Sequence, residues 1–135
     1  MLRSTLVLCT LLLPAAVLCG QEEAIKKEKA KLAGAWVVES MEMMGKKVES
    51  SVGDTFTFAS DKVTLKTKVK EELETYKLDP SKKPREIDFK SKETILGIYE
   101  LDGDTLKLCV STSGKRPTAF DSNQGILGIL KRAKK

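Results

Sequence analysis

From Trp36 onward, apolar residues recur at every second position. Trp36 and Val38 start one such run near 35–43. Phe56 and Phe58 mark 54–59, and Val63 and Leu65 mark 62–68 after a short turn at Ser60-Asp61. Tyr76 and Leu78 fall in 72–78, which ends at Asp79-Pro80, while Ile87 and Phe89 alternate with Asp88 and Lys90 in 86–90. Ile-Leu-Gly-Ile-Leu-Lys-Arg fills 126–132. Period two is the mark of strands with one buried face. Between these runs, Ile95 to Val110 reads as a hairpin about Asp102-Gly103, a pair suited to a type I′ turn, where both central residues take positive φ. Pairing outward sets Tyr99 opposite Leu106 and Gly97 opposite Leu108, so Ile95, Gly97, Tyr99, Leu106, Leu108 and Val110 share a core face. Leu96, Ile98 and Cys109 make an apolar patch on the other face, and the N-terminal helix is the expected cover. That helix is Gln21 to Leu32, rich in Glu, Lys and Ala, with Ile25 and Leu32 on one stripe and Gly34 ending it. The pattern predicts an all-β fold, an eight-stranded antiparallel up-and-down barrel with a short N-terminal helix, because closure leaves no open edge. A two-sheet sandwich is the alternative.

The first twenty residues change the arithmetic. Arg3 followed by an apolar run to Leu13, with Pro14 and small residues after it, reads as a signal peptide, and the run is far short of the roughly 20 residues of a spanning helix. The expected division is therefore 1–20 signal peptide, 21–33 helix, 34–132 barrel and 133–135 basic tail. Export to the periplasm or beyond is expected; acylation of Cys19 is the lesser alternative, since Leu18 before it is not small. Without the leader, Cys109 is the one remaining thiol, so no internal disulfide can form. The chain has 24 basic and 19 acidic residues. Four of the bases, Lys131, Arg132, Lys134 and Lys135, sit at the C-terminus, so the excess charge is a tail and not a face.

Gly34-Ala35-Trp36, after a short helix and opening the first strand, resembles the G-x-W signature of lipocalins. In that family a basic residue near the end of the last strand covers the tryptophan at the closed end, which the resemblance carries to Lys131 or Arg132. The chain more specifically resembles a family of small secreted lipocalin-like proteins of planctomycetes. The likeness spans about residues 32–132. It is carried by Leu32 to Trp36, Gly45-Lys46, Tyr76 to Pro80, GIYELDGDTLKLC from Gly97 to Cys109, Arg116 to Phe120, and Leu130-Lys131-Arg132. The resemblance implies the lipocalin-like barrel, with Gly34, Trp36, Tyr99, Asp102, Gly103 and Arg132 as its structural signature. It carries over no catalytic residue.

The chemistry available to the chain is narrow. There is no histidine, which removes Ser-His-Asp and Cys-His nucleophiles, histidine-bound metals and the usual base near neutral pH. Met41, Met43 and Met44 lack the companions a copper(I) site needs, and Met is a common gap-filler. Asp102 and Asp104 fit a turn rather than a calcium loop. Cys109 has no activating neighbour. No catalytic residue, metal or cofactor is expected, and the chain reads as a non-enzyme. Alternate loops of an up-and-down barrel share an end, which puts 44–53, 69–71, 91–93 and 112–125 at the open mouth. Lys46, Lys47, Lys68, Lys70, Lys90, Lys92, Lys115 and Arg116 stand in or beside them, with Glu49, Glu71, Glu93 and Asp121. They suggest an apolar ligand tail inside the barrel and an anionic head at a basic rim; ordinary solvating lysines are the bland alternative. Phe120 is either a lid, with Arg116 on the anion, or a plug, with Arg116 on a structural carboxylate. The expected function is an exported binding protein for a small apolar or anionic amphipathic molecule. The alternative is a protein–protein or inhibitor module with a side-chain-filled barrel. A monomer is expected, with no nucleic-acid partner, since the body is neutral, and with only a salt-screened contact between the tail and an anionic envelope.

Overall fold

The computed structural model describes residues 13–133, with side chains from Gly20. Residues 1–12 of the signal peptide expected at 1–20 fall outside these residues, as do Lys134 and Lys135, and of Cys19 only the backbone is described. Helix α1 (Leu13–Leu32) starts upstream of the expected Gln21. Its last turn closes with Ala33 N–H donating to the Lys29 carbonyl at 2.8 Å. Gly34, at φ 114°, then turns the chain into the sheet.

The strands are β1 (Gly34–Met43), β2 (Lys46–Lys47), β3 (Thr55–Ala59), β4 (Lys62–Lys66), β5 (Glu71–Asp79), β6 (Arg85–Lys90), β7 (Thr94–Asp102), β8 (Thr105–Val110) and β9 (Ile126–Arg132). All pairings are antiparallel. From β3 to β9 each strand pairs with the next in sequence, and β1 joins β3 on one side and β9 on the other. Eight strands thus close a barrel, as the alternation predicts, and the sandwich is set aside. β2 is a two-residue addition to the far end of β1. A bulge at Glu39 lets β1 follow β9 from Trp36↔Arg132 to Glu42↔Leu127.

Two local expectations are corrected. In the β7–β8 hairpin, Tyr99 stands opposite Leu108 and Asp102 opposite Thr105, so the turn residues are Gly103 and Asp104. Gly103 alone takes positive φ, 59°, as when glycine fills the first central position of a type II′ turn. The slip is two residues, so every side chain keeps its face; a slip of one would have inverted them all. The second correction concerns the patch of Leu96, Ile98 and Cys109. The segment 111–125, not the helix, covers it. Ser111 N–H donates to Leu96 O at 2.8 Å, Cys109 Sγ lies 3.5 Å from Asp121 O, and Pro117 is buried. The helix is needed elsewhere, since Leu32 closes one end of the barrel and is fully buried there.

At that closed end the lumen is solid. Trp36, Phe58, Tyr76, Ile87, Tyr99 and Leu106 are all at most 2% exposed. Phe58 meets Tyr76 edge-on at 5.1 Å. The Tyr76 hydroxyl donates to Ser60 O at 2.8 Å, tying β5 to the β3–β4 turn.

Candidate ligand site

Strand parity decides what faces the lumen at the other end. On β3 the interior positions run from Phe58 to Phe56 and out to Asp54; on β4 from Val63 to Leu65 and Thr67. Here the close-packed floor ends, and a cavity of about 300 Å³ remains, at the lower end of the roughly 300–1,000 Å³ of small-molecule sites. Val63, Leu65, Phe89, Leu108 and Leu130 line its wall, with Met41, Ile95, Val110 and Ile126 nearer the mouth. Gly128 leaves part of the volume open. A side chain added there would meet Leu130 and Met41 only at ordinary contact distances of 3.6 and 3.9 Å. A larger hollow of about 840 Å³ lies on the outer wall around Lys62, Leu73 and Lys90, but it is more polar and less enclosed.

Among the described residues, the polar lining of the lumen comprises Ser51, Asp54, Thr67 and Glu74, with no lysine or arginine. Glu74 is opposite Val63 on β4 and shares its face with Tyr76 and Leu78, so its carboxylate faces the interior. Burial, and then the neighbouring Glu72, push its carboxyl above the usual range. Glu72, nearer the rim, is paired with Lys70 at 2.8 Å. Glu74 has no ion-pair partner among the described residues.

The residues expected at the mouth are not brought together. Lys46 and Lys47 lie exposed on β2, and Lys115 is exposed on the 111–125 segment. Arg116 sits against the outer wall. Its Nη1 donates to Gly97 O at 2.8 Å and lies 2.7 Å from Asp88 Oδ1, and its Nε is 3.5 Å from Glu86. Glu86 and Asp88 alternate with the interior Ile87 and Phe89, so Arg116 takes the structural-carboxylate role. Phe120 lies under Lys107, whose Nζ is 5.4 Å from the ring centroid, again on the outer wall. None of these five residues lines the lumen. For Lys115, Arg116 and Phe120 the cause is one displacement: the 111–125 segment folds down over the outer face of β7 and β8 instead of standing at the rim.

The signature residues gather at the closed end. Arg132, rather than Lys131, lies over Trp36, its guanidinium carbon 4.3 Å from the ring centroid. It donates to Ala33 O at 2.9 Å and Lys31 O at 2.6 Å, and its Nε is 3.3 Å from Asp104. Trp36 Nε1 donates to Leu32 O at 2.8 Å. Tyr99 donates to the buried Glu28 carboxylate at 2.9 Å; burial and then that bond push its phenol far up. Lys131 is exposed and bonds Thr105. Among the described residues, no group of three His, Cys, Asp or Glu side chains could hold a metal ion.

Comparison with models of protein families finds no match, and neither curated proteins nor solved structures give one. The site therefore rests on its own geometry. Asp54 and Glu74 were not among the residues expected to form it, although their signal is present. Glu72, Glu74, Tyr76 and Leu78 share one parity, so a strand whose lower half faces the core must turn two carboxylates inward above it.

Proposed function

We propose that this chain is an exported, non-enzymatic, lipocalin-like protein that binds a small apolar or amphipathic molecule in the upper half of its barrel. The observation that carries the reading is the apolar cavity above the filled floor. Burial of an apolar ligand there would contribute roughly 25 cal/mol for each Å² removed from water. Kinship with lipocalins, and with their small planctomycete relatives, is supported by Gly34-Ala35-Trp36 and by Arg132 over the tryptophan. In this reading the protein works as a monomer, without nucleic acid or cofactor, and its basic tail makes only a salt-sensitive contact with an anionic envelope. A second reading, a module that binds or inhibits a partner protein, draws on exposed apolar residues in and beside the β1–β2 and β4–β5 loops. Met44, Val69 and Leu73 are 76%, 90% and 62% exposed.

Titration with the neutral polarity-sensitive dye N-phenylnaphthylamine separates the two. Saturable enhancement at one dye per chain, lost in Gly128→Leu, is the expected result. No saturable binding, or binding indifferent to Gly128→Leu, would overturn the carrier reading.

A further inference from the structure

We infer that the lumen takes a cationic amphiphile, with its apolar body among the wall residues and a protonated amine at Glu74. The inference rests on the carrier reading and adds the sign of the head group.

Three observations carry it. The charged side chains lining the cavity, Asp54 and Glu74, have one sign. The lysines of the neighbourhood do not neutralise Glu74: Lys70 is held by Glu72, and Lys62, Lys90 and Lys92, which border the outer hollow together with Glu72 and Glu74, make no ion pair with Glu74. Third, Glu74 is a poor choice for packing. Its register neighbour is Val63, and equivalent inward positions are filled by Leu65, Leu108 and Val110. A carboxylate facing an apolar volume loses hydration, and a repulsive Glu72 beside it adds to that cost. An apolar side chain would favour folding more. A ligand ammonium would supply the missing counter-charge and would be held more firmly in the partly desolvated lumen than at the surface. Ser51, at the mouth, adds a hydroxyl oxygen able to accept one of its remaining N–H groups. A carboxylate or phosphate head would meet Asp54 and Glu74 with like charge and no basic partner in the lumen.

The test uses three ligands sharing one tail (octylammonium, octanol and octanoate), each competed against N-phenylnaphthylamine on the full chain. Octylammonium is expected to bind tightest and octanoate weakest. In Glu74→Gln, and to a lesser degree in Asp54→Asn, the preference for octylammonium over octanol should shrink, by about tenfold in the first case. Circular dichroism confirms that each variant is folded, and the two substitutions give independent readings should one fail. Octanoate binding as tightly as octylammonium, or a preference unchanged in both variants, would overturn the cationic head while leaving the carrier reading intact. Failure of all three ligands and of the dye would remove the carrier reading itself.

Discussion

Arg132 is the residue on which the closed end converges. It stacks on Trp36, holds two carbonyls of the helix end and reaches Asp104 in the β7–β8 turn. Its planar fork makes contacts that a lysine cannot copy. Arg132→Ala should cost about 2 kcal/mol, the sum of a stacked cation and two charge-assisted bonds discounted for partial exposure, and Arg132→Lys should recover under about half of it. Urea denaturation of the three proteins measures both. Glu74 works in the opposite sense, as a residue that folding would rather lose. Its folded pKa is raised above the ordinary 4.5 by burial and by Glu72. The folded state therefore holds the proton more tightly than the unfolded chain, and stability falls as pH rises from that value through the higher folded one. Asp54 lines the same cavity, Glu72 stands beside Glu74, and Lys70 is already taken by Glu72. Glu74→Gln should melt higher than the native protein at pH 7, with the gap closing near about pH 4. A gap independent of pH would show that the substitution acts through packing alone.

At the scale of elements, the 111–125 segment is a strap on the outer wall. It is pinned by Arg116 to Glu86, Asp88 and the Gly97 carbonyl, and it seals Ile98 and Cys109, which are 1% and 0% exposed. Burial raises the Cys109 thiol pKa, which keeps the group protonated and slow to react. Arg116→Ala should loosen the strap and speed labelling of Cys109 by a thiol reagent about tenfold or more, by shifting a local opening equilibrium. Dye affinity in the lumen should stay as it was, since Arg116 lies outside it; a fall in affinity with no change in labelling would return Arg116 to the ligand.

This element also marks where the sequence stops being readable. Period-two alternation placed every strand of the barrel wall, because inward positions must be apolar to close the core. It could not place the strap. Pro117 and Phe120 are its main apolar anchors, and the partners of Arg116 are outward acids on a strand distant in sequence. Charge on a loop looks the same whether it faces solvent or a wall, so Arg116 and Phe120 read equally well as rim or as brace. Glu74 was legible from its parity alone, but a carboxylate on a strand is ordinarily read as solvent-facing.

As a whole, the molecule is a barrel filled to half its height. Trp36, Phe58, Tyr76 and Tyr99 occupy the floor, and above them Phe56, Phe89 and the aliphatic wall residues, with Gly128, leave the upper lumen open. A small barrel can be filled completely by side chains, so this division is a property of where the residues stand, not of the strand number. Gly128→Leu should fill the space and raise stability by about 1 kcal/mol, from added apolar burial and the loss of a strand glycine. Thermal unfolding at matched pH measures it, and a destabilised variant would mean that the wall has no room there.

Native mass spectrometry bears most directly on the barrel as a container, comparing the native protein with Gly128→Leu after purification without denaturation. The native chain should carry one small molecule that is shed on unfolding, and Gly128→Leu should emerge bare. The same bound mass on both proteins, or a bare native chain that also refuses octylammonium, would contradict a ligand site in the upper lumen.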